Sequence, residues 1–147
     1  MKKLPLFFAV LLFTAATAVN ACSSNSSPQT GNQVPADGGR YTNISAAQLN
    51  SMLSNKDFLL VNVHIPYEGE IGQTDLFIPF DKIADNAGQL PTDKNARIVL
   101  YCRSGSMSAE AAGTMADSGY TNLYNLIGGM NDWEAQGYQL LQKPQQN

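Results

Sequence analysis

Two cysteines, one histidine and one tryptophan stand in a chain of 147 residues, and each scarcity closes off a class of function. A metal centre needs clustered Cys, His or carboxylate ligands. His64, alone and with no cysteine near it, cannot supply one, so neither metal nor cofactor is expected. Positive charge is also scarce. Nine Lys and Arg against twelve Asp and Glu give a net charge of −3, and the absence of any basic run argues against nucleic acid as a partner. There is no internal repeat and only one extended apolar run. A hydrophobic content of 44% with 14% charge still describes a globular chain, of a length suited to one domain.

That apolar run lies at the N-terminus. "MKKLPLFFAVLLFTAATAVNAC" has a basic start (Lys2, Lys3), an apolar stretch from Leu4 to about Ala16, and small residues before Cys22. This predicts a secretory signal peptide over 1–21, too short in its apolar part for a comfortable membrane span. Ala16-Thr17-Ala18 and Val19-Asn20-Ala21 both suit ordinary cleavage, and "VNAC" also resembles a bacterial lipobox, whose cysteine is lipidated. The following "SSNSSPQTGNQVPADGG" cannot bury a core and reads as a flexible tether over 22–40. Cys22 is therefore expected to carry a lipid anchor. Ser23 gives no inner-membrane retention signal, so the expected location is the bacterial envelope, on the outer membrane facing the periplasm. Losing Lys2 and Lys3 leaves seven basic residues against twelve acidic ones, a net charge of −5.

With Cys22 lipidated, Cys102 is the sole thiol of an exported domain. A leftover cysteine in an oxidising compartment suggests a reactive thiol or an intermolecular partner. A Cys22–Cys102 disulfide is the alternative.

From Tyr41 to about residue 143 the pattern alternates strand and helix. "YTNIS" predicts a first strand. Ser45-Ala46-Ala47-Gln48 has capping-box spacing at the head of a helix carrying Leu49, Met52 and Leu53. Strands are expected at 57–63, within "LFIPF" and at "RIVLYC", with a short helix over 81–86. A helix over 106–118 would turn Ala109, Ala112, Met115 and Ala116 inward and end at Gly119. "YTNLYNLIGG" and "MNDWEAQGY" give a last strand and a closing helix. Short connections between alternating elements imply an α/β fold with a mostly parallel sheet.

Cys102 falls where the strand "RIVLYC" meets the following helix. The loop backbone there, with the unpaired donors of a helix start, makes a nest that stabilises an anion. A thiolate is such an anion, and the position describes an activated nucleophile. Gly105 permits the curl, Ser104, Ser106 and Ser108 add hydroxyl donors, and Arg103 supplies the only fixed positive charge nearby. A free cysteine packed as a small apolar residue is the simpler alternative.

These residues resemble the rhodanese-like (sulfurtransferase) family over about 100 residues, from Tyr41 to near Tyr138. "YCRSGSMS" resembles its active-site loop, here Cys102 to Met107, and "GYTNLYNLIGGMNDWEAQGY" its closing segment, with Gly128, Gly129, Met130 and Trp133. The resemblance implies a five-stranded parallel sheet between helices. It also implies transfer of a sulfane sulfur through a Cys102 persulfide, with Arg103, Ser104, Gly105, Ser106, Met107 and Ser108 binding substrate. The partners would be a small sulfur donor and a thiol acceptor, either a small molecule or a protein. Family loops that handle thiosulfate often end in Arg where this one has Met107. The usual Asp-x-Arg of the second strand reads Asn62-Val63-His64, which leaves Asn62 and His64 as supporting positions around the loop. His64 could orient the loop, act as a base, or be structural. Glu68 and Glu70 are expected to be solvated loop charges, and Trp133 to be packing. A membrane-anchored module that stores persulfide without efficient turnover fits the same residues. A cysteine phosphatase does not, because its C-x5-R loop needs Arg at position 108.

Overall fold

The computed structural model describes residues 31–142. The signal-like segment, Cys22 and the start of the tether lie outside the described residues. Six strands form the main sheet in the order β1-β2-β7-β6-β3-β5: β1 (Asn32–Ala36), β2 (Gly39–Ile44), β3 (Leu59–Asn62), β5 (Leu76–Phe77), β6 (Ile98–Tyr101) and β7 (Leu123–Leu126). β2, β7, β6, β3 and β5 are mutually parallel, while β1 pairs with β2 antiparallel. A separate two-stranded ladder joins β4 (Glu70–Ile71) to β8 (Leu140–Leu141). The helices are α1 (Ala46–Leu53), α2 (Ser106–Asp117) and α3 (Gly129–Ala135).

Two expectations are corrected. The sheet is mixed and six-stranded rather than five-stranded and parallel, because residues 32–36 form an edge strand within the stretch read as tether. An edge strand tolerates Pro35 and polar side chains, so its composition does not announce it. The helix expected over 81–86 is a pair of short 3-10 turns, Phe80–Lys82 and Ala87–Gln89, joined by further turns.

The alternation of β6 explains how the layers assemble. Successive strand residues point to opposite faces, so Ile98, Leu100 and Cys102 join one core cluster and Val99 and Tyr101 the other. The first cluster is covered by α2 through Ala111, Ala112, Met115 and Ala116. Ala111 takes the inward place expected of Ala109, which is only half-buried. The second cluster packs against α1 and α3 through Leu49, Met130 and Trp133. Burying a Leu or Ile side chain contributes about 1.5–3 kcal/mol, and β6 is buried at every position because it is covered on both faces.

Local signals hold where chemistry dictates them. The capping box forms: Gln48 N–H donates to Ser45 Oγ at 3.3 Å and Ser45 N–H to Gln48 Oε1 at 2.8 Å. Trp133 is packing, buried against Tyr138 with ring centroids 4.5 Å apart.

Candidate active site

Cys102 leaves β6 on the face covered by α2 and is 1% exposed. The next three residues turn the chain into α2, whose N-cap is Gly105 at φ +94°. Glycine is required there twice over. The left-handed φ disfavours any side chain, and a Cβ would meet Gly128 N and Leu126 O at 3.0 Å. The curl brings the Gly105 N–H to 3.0 Å from Cys102 Sγ, and Ser108 Oγ, from the first turn of α2, to 3.5 Å. Ser108 is buried, and its one hydroxyl proton can go either to Sγ or to Gly105 O, 3.2 Å away. The sulfur is thus faced by two donor groups, the Gly105 amide and the Ser108 hydroxyl.

Of the three serines expected as donors, only Ser108 reaches the sulfur. Ser104 and Ser106 are exposed and bond to each other, Oγ to Oγ at 3.1 Å. Met107 is half-buried against the cluster that contains Cys102.

α3 fixes the loop from the other side. Met130 N–H donates to the Cys102 carbonyl at 2.9 Å and Asn131 N–H to the Arg103 carbonyl at 3.0 Å. Both carbonyls are thus tied to the start of α3. Close approach needs Gly129, where a Cβ would collide with the Cys102 carbonyl oxygen and lie 2.8 Å from the Arg103 carbonyl carbon and oxygen. Gly129 of the closing segment therefore acts on the cysteine loop directly, while a Cβ on Gly128 would collide with the Asp132 side chain.

Asn62 ends β3 in register with Tyr101, so His64 and Arg103 leave the sheet side by side. Asn62 is fully buried. Its Oδ1 accepts from His64 N–H and its Nδ2 donates to the Gly69 carbonyl, both at 3.0 Å, closing the loop between them. His64 is 7% exposed, and neither ring nitrogen has an aligned hydrogen bond among the described residues. Nε2 does lie 3.3 Å from Glu68 Oε2, and that same oxygen lies 3.3 Å from Arg103 Nη1. Glu134 of α3 approaches Arg103 Nη2 at 3.9 Å.

Glu68 is an exposed loop charge as expected, whereas Glu70 departs from the sequence reading. Glu68 bridges Arg103 and His64, and Glu70 is 4% exposed in β4, with Tyr67 Oη 3.4 Å from its Oε2. No signal in the sequence ties Glu68 to the cysteine loop, since it meets Arg103 only through the parallel pairing of β3 with β6. Beneath the loop, Tyr101 Oη accepts from Ile71 N–H at 3.0 Å and meets Thr74 Oγ1 at 2.7 Å, locking β4 to the central strand. Burial pushes the Tyr101 phenol well above its ordinary pKa, against the opposing hydrogen bonds of Thr74 and Ile71.

Comparison with known proteins agrees with this geometry. The family model of the rhodanese-like domain matches residues 45–136. Among curated proteins, the tRNA uridine(34) hydroxylase of Erwinia tasmaniensis is 34% identical over 103 residues, 66% of this chain and 29% of that protein. Its counterpart from Photorhabdus laumondii is 31% identical over 105 residues, 67% of this chain and again 29% of the relative. The match therefore spans less than a third of these relatives' length. Among solved structures, a rhodanese-related protein from Thermoplasma volcanium superposes with a TM-score of 0.61 at 25% identity, covering 70% of this chain and 100% of that one. A rhodanese-like domain protein from Staphylococcus aureus gives 0.56 at 27% identity, covering 68% and 98%.

Proposed function

Because the chain belongs to the rhodanese-like domain family, we propose that it is a sulfurtransferase that carries a sulfane sulfur on Cys102. The observation that carries this reading is the sulfur's setting, with Gly105 N–H at 3.0 Å and Ser108 Oγ at 3.5 Å from Sγ at a strand–helix junction. In the first step the Cys102 thiolate attacks the outer sulfur of a donor R–S–SH. A bond forms between Sγ and that sulfur, the donor S–S bond breaks, and R–S⁻ leaves with the electron pair. The persulfide proton passes to solvent. In the second step an acceptor thiolate attacks the outer sulfur and Cys102 leaves as thiolate. Each step exchanges one S–S bond for another, so no external oxidant or reductant is consumed. The first N–H groups of α2 have no acceptor within the helix and are available to the outer sulfur.

Hydroxylation of tRNA, named for the curated relatives, belongs to proteins of which the matched segment is 29%. The acidic chain here offers no basic run for RNA, so that activity is not carried over. A persulfide store uses the first step alone. Intact mass before and after an organic persulfide donor, then after a thiol, tests the proposal. One sulfur atom gained and then released is expected, with none gained by Cys102→Ser. Failure of the wild-type protein to gain sulfur refutes the proposal, and gain without release leaves only the store.

The same reading places the domain in the bacterial envelope, held to the outer membrane by lipid on Cys22. Its support is the signal-like segment followed by a polar stretch. Cys22→Ala should move the protein from the membrane to the soluble fraction.

A further inference from the structure

Glu68 stands where a sequence reading leaves only a solvated charge, yet one of its oxygens touches both neighbours of the cysteine loop's mouth. Oε2 is 3.3 Å from Arg103 Nη1 and 3.3 Å from His64 Nε2. Glu134 reaches the other arm of the same guanidinium at 3.9 Å. Two carboxylates thus face one arginine, the only fixed positive charge carried by the loop. The guanidinium is held by protein carboxylates instead of being free for an incoming anion, and the cluster's formal charge, with His64 neutral, is −1. Met107 at the loop's end adds no cation to offset this.

We infer that Glu68 is a specificity-determining residue that sets the charge class of the substrate. It occupies Arg103 and keeps the mouth negative, so that the site takes an organic sulfane sulfur without net negative charge beside the transferable atom, and discriminates against inorganic dianions. The inference rests on the reading of Cys102 as the nucleophile. The cluster is partly open to solvent, with side chains of Arg103, Glu68 and Glu134 41%, 45% and 48% exposed. The discrimination must therefore weaken as salt rises. Glu68 contacts Arg103, the residue next to Cys102, and a carboxylate-to-thiol separation of about 10 Å is assumed for the magnitude. At that range and an intermediate effective dielectric, one unit charge changes the approach of an anion about three- to fivefold at ~10 mM ionic strength.

The test uses two alkylating probes of similar size and different charge, iodoacetate and iodoacetamide. Second-order rate constants for Cys102 are measured at ~10 mM and at ~0.5 M salt. The iodoacetate-to-iodoacetamide ratio cancels any change in the thiolate population itself. In Glu68→Gln the ratio should rise about three- to fivefold at low salt and return toward the wild-type value at high salt. Glu134→Gln should move it the same way by less, and serves if Glu68→Gln does not fold. Asp93→Asn, at the opposite end of β6, should leave it unchanged. A reactive Cys102 whose ratio does not respond to Glu68→Gln and Glu134→Gln overturns the inference alone. A folded wild-type protein that reacts with neither probe overturns the nucleophile beneath it.

Discussion

Replacing Gly129 by alanine tests the coupling between α3 and the cysteine loop, and two other glycines calibrate the result. Gly129 sits at φ +57°, and its added Cβ would overlap the Cys102 carbonyl oxygen and crowd the Arg103 carbonyl. The left-handed conformation alone costs an L-residue about 1–2 kcal/mol. Relief of the overlap must move α3 off the loop, which breaks the Met130 and Asn131 hydrogen bonds to the carbonyls of residues 102 and 103. At about 1 kcal/mol net for each bond, the loss comes to about 3–4 kcal/mol. For a domain of this size that lowers Tm by on the order of 15–25 °C. Gly137 also has a left-handed φ, +83°, but its Cβ would meet nothing within 4 Å, so alanine there should cost only the backbone term. Gly113 lies inside α2 with no such φ and open space around it, and alanine should stabilise by about 0.5–1 kcal/mol. Urea unfolding followed by fluorescence of the buried Trp133 measures all three variants. Cys102 alkylation in Gly129→Ala should change as well, because the loop loses its anchor. A Gly129→Ala protein no less stable than Gly137→Ala, with wild-type alkylation, refutes the coupling.

Ser108→Ala should slow iodoacetamide labelling of Cys102 severalfold, since it deletes the hydroxyl 3.5 Å from Sγ, and should destabilise by about 1 kcal/mol. Tyr101→Phe leaves the Ile71 N–H without its acceptor and should cost about 1–3 kcal/mol in denaturant titration at neutral pH. Folding raises the Tyr101 pKa, so its neutral form contributes stability that is complete below about pH 10, the unfolded value, and is lost as pH climbs through the folded value. Unfolding free energy in wild type should therefore fall more steeply above pH 10 than in Tyr101→Phe. Met107→Arg should raise kcat/KM for thiosulfate roughly tenfold through a charge-assisted contact and raise that for organic persulfides less. An unchanged donor ratio would show that residue 107 does not select the donor.

Much of the site could be read from the chain because local rules dictate it. The run from Ile98 to Gly105 contains its own explanation: buried alternation, a small polar curl, and a glycine that accepts φ +94°. The capping box at Ser45 is equally local. What the chain conceals is whatever depends on pairing between distant segments. β1 has the composition of a linker, and only its place at the edge beside β2 makes it a strand. β4 and β8 are two residues each and exist through one another. Glu68 is one charge in a loop until the pairing of β3 with β6 brings Arg103 beside it. The ion pairs of Arg103 are hidden for the same reason, since its neighbours in sequence carry no carboxylate and its neighbours in space, Glu68 and Glu134, do.

The antiparallel sense of β1 decides from which side the domain is approached by the polypeptide leading into it. Asn32 pairs with Asn43, Asn43 is level with Asn125 across β7, and Asn125 is level with Leu100 on β6. The polypeptide thus joins the sheet about two residues short of Cys102 along the strand direction, and three strand spacings, about 14 Å, to one side. Had the chain run straight into β2, it would have arrived at the far pole of the barrel-less, open sheet. Instead, its point of arrival and the thiol share one pole. A partner or surface that meets the domain at the Asn32 end of β1 therefore meets it at the same pole as Cys102.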